Sequence, residues 1–343
     1  MRERRPGILL INLGTPDKPQ QRDVNRYLKQ FLTDARVIDY PWLPRQLLVR
    51  GIIVPLRAKN STRLYQQLWT KDGSPLKYYG ERVCSLLSEF CDHRFPVALG
   101  MRYQNPSIEQ AIDELLKKGV DEIIVFPMFP QYASATTGSA FEEVMQIMVK
   151  RQVIPSLFFI EDYYDHPRMI EVFAGHAEAF DISAYDHVLF SYHGLPQRQL
   201  IKADPCNHCL QSDRCCEVMN DCNRHCYSAQ CYATTRALVQ KLGLKSGTYT
   251  TCFQSRLGKD PWIQPYTSQI LEERAAKGDR RLLVFSPAFV ADCLETIIEV
   301  GFEYKEEFLA MGGEKIDLVP SLNDDPKWVK AIWEIINERV KLN

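Results

Sequence analysis

The sequence predicts an α/β protein made of two doubly wound parallel-sheet domains. Three observations lead there. The chain has 343 residues, more than one ordinary core accommodates and enough for two. Short, nearly continuous apolar runs alternate with stretches whose apolar residues recur at helical spacing, the pattern of strands covered on both faces by helices. That alternation runs to about residue 160 and then begins again.

Residues 7–14 read as the first strand. Val24, Tyr27, Leu28, Phe31 and Leu32 then repeat at helical spacing. Residues 31–56 form an apolar stretch broken by Pro41, Pro44 and Pro55. Composition alone reads it as a loop plus a buried helix; the sharper reading is a mobile lip over a greasy ligand or against a membrane surface. Leu76, Tyr79, Val83, Leu86, Leu87 and Phe90 mark the next helix. Strands follow at residues 97–103, 122–130 and 156–160, separated by helices through Ile108–Leu116 and Phe141–Val149. A helix opening at His166-Pro167 and running through Phe180 starts the second round. Its strands are expected at residues 187–191, 248–253, 281–286 and 316–319, with helices at 231–242, 262–277 and 293–311. The last helix, 327–340, gathers Trp328, Ile332, Trp333 and Ile336 on one side. The expected division is an N-terminal domain of residues 1–163, a C-terminal domain of 164–323, and a helix at 324–343 packing back on the body. No internal sequence repeat is visible.

Composition removes several function classes. An apolar fraction of 45% and a charged fraction of 25% are those of a globular protein. Lys plus Arg number 42 against 43 Asp plus Glu, so there is no electrostatic footprint for nucleic acid. No apolar run reaches the length of a membrane span. The start MRERRPGILLINLG is basic, but its apolar run is short and no small-residue cleavage site follows; it reads as a strand rather than a signal peptide, and a reducing, cytoplasmic setting is the expectation. Seven of the eleven cysteines lie between Cys206 and Cys231, a crowding that favours a metal or cluster over disulfides.

The candidate chemistry sits at strand ends, where open α/β sheets bind ligands. His193 follows the run Val188-Leu189-Phe190 and precedes Gly194, a ligand-facing position. Asp292, Glu295 and Glu299, spaced i, i+3 and i+7 after another strand, share one face of an α-helix. They read either as an exposed acidic face or as a row that handles cations or protons. Arg102-Tyr103 ends one strand and Gln131-Tyr132 another. The Thr136-Thr137-Gly138-Ser139 run that follows offers either free N–H groups for an anion or plain N-caps. Neither GxGxxG after a strand nor GxxxxGK[ST] is present, so nucleotide phosphate binding has no motif support.

Six stretches taken together resemble the ferrochelatases: INLGTP near the start, GSPL at 73–76, GMRYQNP at 100–106, PQYASATTGS at 130–139, SYHGLP at 191–196 and SPAFVADCLETIIE at 286–299. They occur in the family's order over nearly the whole chain. The resemblance implies two flavodoxin-like domains, Rossmann-like and chelatase-like, with a porphyrin cleft between them, and insertion of Fe²⁺ into a porphyrin to make haem. It implies that His193 is the active-site histidine, that Glu295 faces it across the macrocycle, and that Asp292 and Glu299 continue an acidic, metal-handling row. It places Leu13 against the macrocycle and Arg57, Tyr65, Ser74, Arg102, Tyr103 and Tyr132 in the porphyrin pocket. It also makes residues 31–56 a lip over the cleft. The substrates implied are protoporphyrin IX and Fe²⁺, with coproporphyrin III as the rival porphyrin. Other readings are a non-catalytic tetrapyrrole or metal carrier, and a cobalt or nickel chelatase.

The reaction explains the residue types. A free porphyrin holds two pyrrole N–H protons where the metal must enter, and hydrated Fe²⁺ must shed water. A neutral imidazole accepts a proton near pH 7 or ligates iron, and carboxylates carry protons out or guide the cation in. Holding the macrocycle bent favours the transition state over the flat substrate.

The segment 205–231 resembles the internal insert that carries [2Fe–2S] ligands in some bacterial ferrochelatases. Four thiolates are wanted. The expected set is Cys209, Cys216, Cys226 and Cys231, with Cys206, Cys215 and Cys222 as substitutes. Zinc is the competing occupant, given His208 and His225 nearby. Ser134 stands where animal members draw a ligand from the PQY segment, which excludes that arrangement. The expected location is cytoplasmic, peripheral at the inner membrane, because the substrate is greasy and the lip apolar; the sequence leaves the oligomeric state open.

Overall fold

The computed structural model describes residues 4–212, 214–256, 258 and 260–342. The chain forms two compact units. One holds the chain up to Phe129, Ser134–Asp162 and the C-terminal segment from Asp324; the other holds Pro130–Ala133 and Tyr163–Asn323.

In the first unit, β1 (Pro6–Gly14), β2 (Val97–Tyr103), β3 (Glu122–Pro127) and β4 (Ser156–Phe159) form a parallel sheet in the order β2-β1-β3-β4. Both faces are covered, which is why the strands are apolar throughout rather than alternating. Leu9, Ile11, Ile123 and Val125 pack against α5 (Ile108–Lys117) and α6 (Ser139–Met148) through Ile112, Leu115, Val144 and Ile147. Each such fully buried aliphatic side chain contributes roughly 1.5–3 kcal/mol. Ser107 starts α5 with a reciprocal cap: its Oγ accepts from the Gln110 amide at 3.2 Å while Gln110 Oε1 accepts from the Ser107 amide at 2.8 Å. The remaining helices are α1 (Gln21–Leu32), α2 (Trp42–Leu48), α3 (Val54–Leu68) and α4 (Pro75–Phe90).

In the second unit, α7 (Pro167–Ala177) leads to β5 (His187–His193), α8 (Gln197–Ala203), α9 (Tyr227–Leu242), β6 (Tyr249–Gln254), α10 (Thr267–Ala276), β7 (Arg281–Phe285), α11 (Lys305–Ala310) and β8 (Lys315–Leu318). Its parallel sheet has the order β6-β5-β7-β8. The final helix, α12 (Pro326–Val340), returns to the first unit. Trp328, Ile332 and Ile336 are fully buried there, and the Trp333 ring meets Phe95 at 5.2 Å.

The second sheet repeats the first, strand for strand. Gly14 closes β1 and Gly194 follows β5. A Cβ on Gly14 would lie 2.0 Å from the Tyr103 carbonyl oxygen, and one on Gly194 would lie 2.8 Å from that of Gln254. Gln104 after β2 and Ser255 after β6 both carry positive φ, 70° and 66°. Met101 N donates to Pro106 O and Phe253 N to Pro265 O, at 2.6 and 2.9 Å. A π-helical segment follows β3 at Ser134–Gly138 and β7 at Leu294–Tyr304. Only the backbone keeps this duplication, so no sequence repeat betrays it.

Several expectations need correction. The apolar stretch 31–56 does not hold a buried helix: Trp42 is 66% exposed, Leu47 65% and Leu56 77%. Pro41 and Pro44 sit at the start of α2, where the missing N–H costs nothing, and Pro55 lies inside a continuous helical run just after a π-helical turn, Val49–Ile53, that interrupts the α-helical bonding ahead of it. The helix expected at 262–277 begins at Thr267, since Trp262 pairs with Pro196 and Pro265 occupies a turn. The strand expected to reach Pro130 stops at Pro127. The short α8 and the π-helical segments were not foreseen, because a wider helical turn leaves no distinct period in a short apolar run.

Candidate active site

The second unit holds the expected catalytic and acidic positions. Its central strand β5 runs to His193 itself, pairing that residue with Gln254 of β6. The close approach at Gly194 lets the chain leave β5 against Gln254, whose carbonyl accepts the Gly194 N–H at 2.8 Å. The Tyr227 hydroxyl holds the His193 carbonyl at 2.9 Å, and the Phe289 ring meets the imidazole edge-on at 6.3 Å. His193 is half-buried, but its Nδ1 is enclosed and has no hydrogen-bond partner among the described residues. Burial pushes its pKa below the usual histidine value, and the nearby Glu295 carboxylate pulls it back only in part. The ring is therefore neutral near pH 7 and can accept a proton or a metal.

The acidic row is not one α-helical face. Asp292 precedes the helix: its carboxylate accepts from Asn323 Nδ2 at 2.7 Å and the Thr296 hydroxyl at 3.0 Å, locking the entry to the π-helical segment. Glu295 lies in the first turn, half-buried, near the Cys293 thiol and close enough to His193 to act on its charge. His193 and Glu295 thus come from β5 and from the segment after its neighbour β7, in one sheet. Glu299 is held by four donors, the Ser255 amide at 2.8 Å, the Ser255 hydroxyl, Gln254 Nε2 at 3.2 Å and the Tyr304 hydroxyl at 3.0 Å. Tyr304 stands five residues after Glu299, one π-helical turn, and an α-helical reading misses it. Tyr132 belongs to this unit; its amide donates to Gln230 Oε1 at 2.6 Å and its ring meets His225 edge-on at 5.9 Å.

The first unit holds the other expected positions. Leu13, half-buried near the end of β1, is the topological counterpart of His193. Arg102 and Tyr103 end β2, and both bind Asp34: Arg102 Nη2 at 2.8 Å and the Tyr103 hydroxyl at 2.8 Å. Arg102 also donates to Ser139 Oγ at 2.7 Å and pairs with Glu143 at 3.2 Å. Tyr65 is buried, edge-on to Tyr27 at 6.0 Å. Ser74 occupies the N-cap position of α4 but makes no side-chain cap; its Oγ is buried and has no partner among the described residues. Arg57 is exposed on α3.

The cysteine-rich segment divides. Cys206 and Cys222 form a disulfide, which removes them as substitute ligands and runs against the expectation that crowding favours a metal or cluster over disulfides. Of the expected ligands, the Cys226 thiol lies near Cys209 and Cys216, and Cys231 lies within electrostatic range of Cys226 and Cys216. Contact with Cys209 pushes the Cys226 thiol up to about 12, while burial holds Cys231 well above the usual thiol range. Among the described residues no three of these sulfurs lie close enough together to hold one metal ion.

Known proteins share this architecture. SirB from Bacillus subtilis, solved with Fe³⁺, superposes with a TM-score of 0.53 at 11% identity, covering 98% of this chain and 95% of that one. The sirohydrochlorin chelatase SirB from Bacillus subtilis subspecies spizizenii, solved with cobalt, gives 0.53 at 10%, over 98% and 96%. The fold is thus that of the two-domain chelatases. Within that class, the ferrochelatase family profile matches residues 5–340. The ferrochelatase of Legionella pneumophila (strain Corby) is 45% identical over 336 residues, 98% of this chain and all of that protein. That of Coxiella burnetii (strain Dugway 5J108-111) is 41% identical over 338, covering 98% and 94%. The chain belongs to the ferrochelatase family. It is an enzyme of haem synthesis that inserts a metal into a porphyrin, with a porphyrin and ferrous iron as substrates.

Proposed function

We propose that the porphyrin is protoporphyrin IX, so that the enzyme is a protohaem ferro-lyase, and that His193 and Glu295 are its catalytic pair. The observation that carries the pair is the enclosed, unpartnered Nδ1 of a His193 ring kept neutral by burial beside the Glu295 carboxylate. In this reading His193 accepts pyrrole protons as iron enters, and Glu295 stabilises the imidazolium that forms. Asp292 and Glu299 continue the metal-handling row; their bound donors make them fixed acceptors of a cation or proton. Leu13, Arg57, Tyr65, Ser74, Arg102, Tyr103 and Tyr132 line the porphyrin site.

The stretch 31–56 is a lip. Exposed Trp42, Leu43, Leu47 and Leu56 support that reading and suit peripheral contact with a membrane that supplies a greasy substrate. Among the described residues no helix is long and apolar enough to cross a membrane. The location we infer is cytoplasmic, at the inner membrane surface.

Cys209, Cys216, Cys226 and Cys231 would hold a [2Fe–2S] cluster, zinc being the rival. Visible absorbance of anaerobically purified protein, with iron and sulfide analysis, decides between them: a colourless protein with one zinc removes the cluster. For the reaction, anaerobic turnover of Fe²⁺ with protoporphyrin IX and with coproporphyrin III is the test. Protoporphyrin is expected to turn over faster, and a preference for coproporphyrin overturns the substrate assignment. His193→Ala is expected to abolish insertion while porphyrin binding persists; full activity in that variant refutes the catalytic pair.

A further inference from the structure

We infer that Asp34 is a positioning residue for porphyrin capture, acting as a latch that fastens the base of the apolar lip to the sheet of the first unit. The inference rests on reading 31–56 as a lip. Asp34 lies two residues after α1, where the chain turns toward α2. Its side chain is only 7% exposed. One carboxylate oxygen, Oδ2, receives three donors from three places: Arg102 Nη2 at 2.8 Å and the Tyr103 hydroxyl at 2.8 Å from the end of β2, and the Ser139 hydroxyl at 2.5 Å from the start of α6. Oδ1 accepts the Arg36 amide at 2.7 Å, and the Asp34 carbonyl accepts the Val37 and Ile38 amides. Arg36 then fastens the same turn a second time, pairing with Glu142 and donating to Ser134 Oγ at 3.0 Å.

The turn at 34–38 is therefore held by buried, charge-assisted bonds, whereas α2 beyond it turns Trp42, Leu43 and Leu47 outward. The arm continues through a π-helical turn, Val49–Ile53, into α3, whose Val54, Ala58 and Tyr65 are buried, so the exposed face lies between two anchored ends and Asp34 holds the first of them. Asp34 reaches the expected pocket residues Arg102 and Tyr103 directly, so it fixes their heads and the lip's root with one carboxylate. Loss of the latch should loosen capture of the porphyrin and leave metal insertion intact once the porphyrin is bound.

The test uses the full chain with Asp34→Ala, Ser139→Ala and Trp42→Ser/Leu47→Ser, each assayed for kcat, porphyrin KM and the rate of tryptic cleavage after Arg36 and Arg50. Asp34→Ala is expected to raise the KM roughly tenfold and speed cleavage, with kcat changed less than about twofold. Ser139→Ala, which removes one donor and no charge, should raise the KM in the same direction by about two- to threefold. If Asp34→Ala does not fold, Ser139→Ala carries the test. An unchanged KM in the folded variant, or a fall in kcat at constant KM, overturns the latch. The lip variant separates the two ideas: an unchanged KM there refutes the lip and the latch together, whereas a raised KM there with Asp34→Ala like wild type refutes the latch alone.

Discussion

Acidification should destabilise the second unit through one buried imidazole, His187. This residue opens β5 and is 2% exposed. Its Nε2 meets Thr250 Oγ1 at 2.8 Å, and its Nδ1 has no partner among the described residues. Burial, then the positive charges of Arg274 and Lys277, lower its pKa from 6.5 to about 4, against a weaker opposite pull from Asp279. The folded state thus binds the proton more weakly than the unfolded chain. Stability from this group is complete above about pH 6.5 and is lost as the pH falls from there through about 4. The whole difference is worth on the order of 3 kcal/mol, of which about 2 kcal/mol is lost by pH 5. Urea unfolding followed by tryptophan fluorescence at pH 7, 6 and 5 would measure it, with His187→Gln as the reference that cannot titrate. The gap between the two proteins should shift by about 2 kcal/mol against wild type between pH 7 and pH 5. Parallel profiles would show that His187 is not held neutral by the fold, and the reasoning would fail.

Two further outcomes follow from single contacts. Gly14→Ala puts a Cβ 2.0 Å from the Tyr103 carbonyl at a φ of +110°, so it should cost roughly 1–3 kcal/mol or more and lower Tm; an unchanged Tm would mean that the strand end moves freely. Tyr304→Phe removes a hydroxyl that donates to the Glu299 carboxylate at 3.0 Å and should cost about 1.5–3 kcal/mol in urea unfolding, whereas a neutral effect would show that the Ser255 and Gln254 donors suffice.

The strands were legible because residues such as Leu9–Ile11 and Leu282–Phe285 are buried on both sides, and a doubly buried strand must be apolar throughout. His193 was legible for the same reason: it stands where the apolar run of β5 ends. The covered α-helices announced themselves by periodicity, α12 through Trp328, Ile332 and Ile336. The π-helical segment from Leu294 did not. Asp292, Glu295 and Glu299 look like an α-helical row until the wider turn leaves Asp292 outside and brings Tyr304 onto Glu299. The stretch 31–56 was misread from composition as holding a buried helix, because apolar content says nothing about which way side chains face when no core covers them.

By itself the sequence determined the order and kind of the elements and the loops that carry the chemistry, because helical and strand periods, glycine turns and proline starts act within a few residues. Tertiary structure alone decided which side chains meet. Asp34 finds Arg102 and Ser139, 68 and 105 positions further along, and Cys206 joins Cys222 across 16 positions. Such pairings depend on how strands lie beside one another in the sheet, a long-range choice made by burial of the whole core and written in no short stretch of chain.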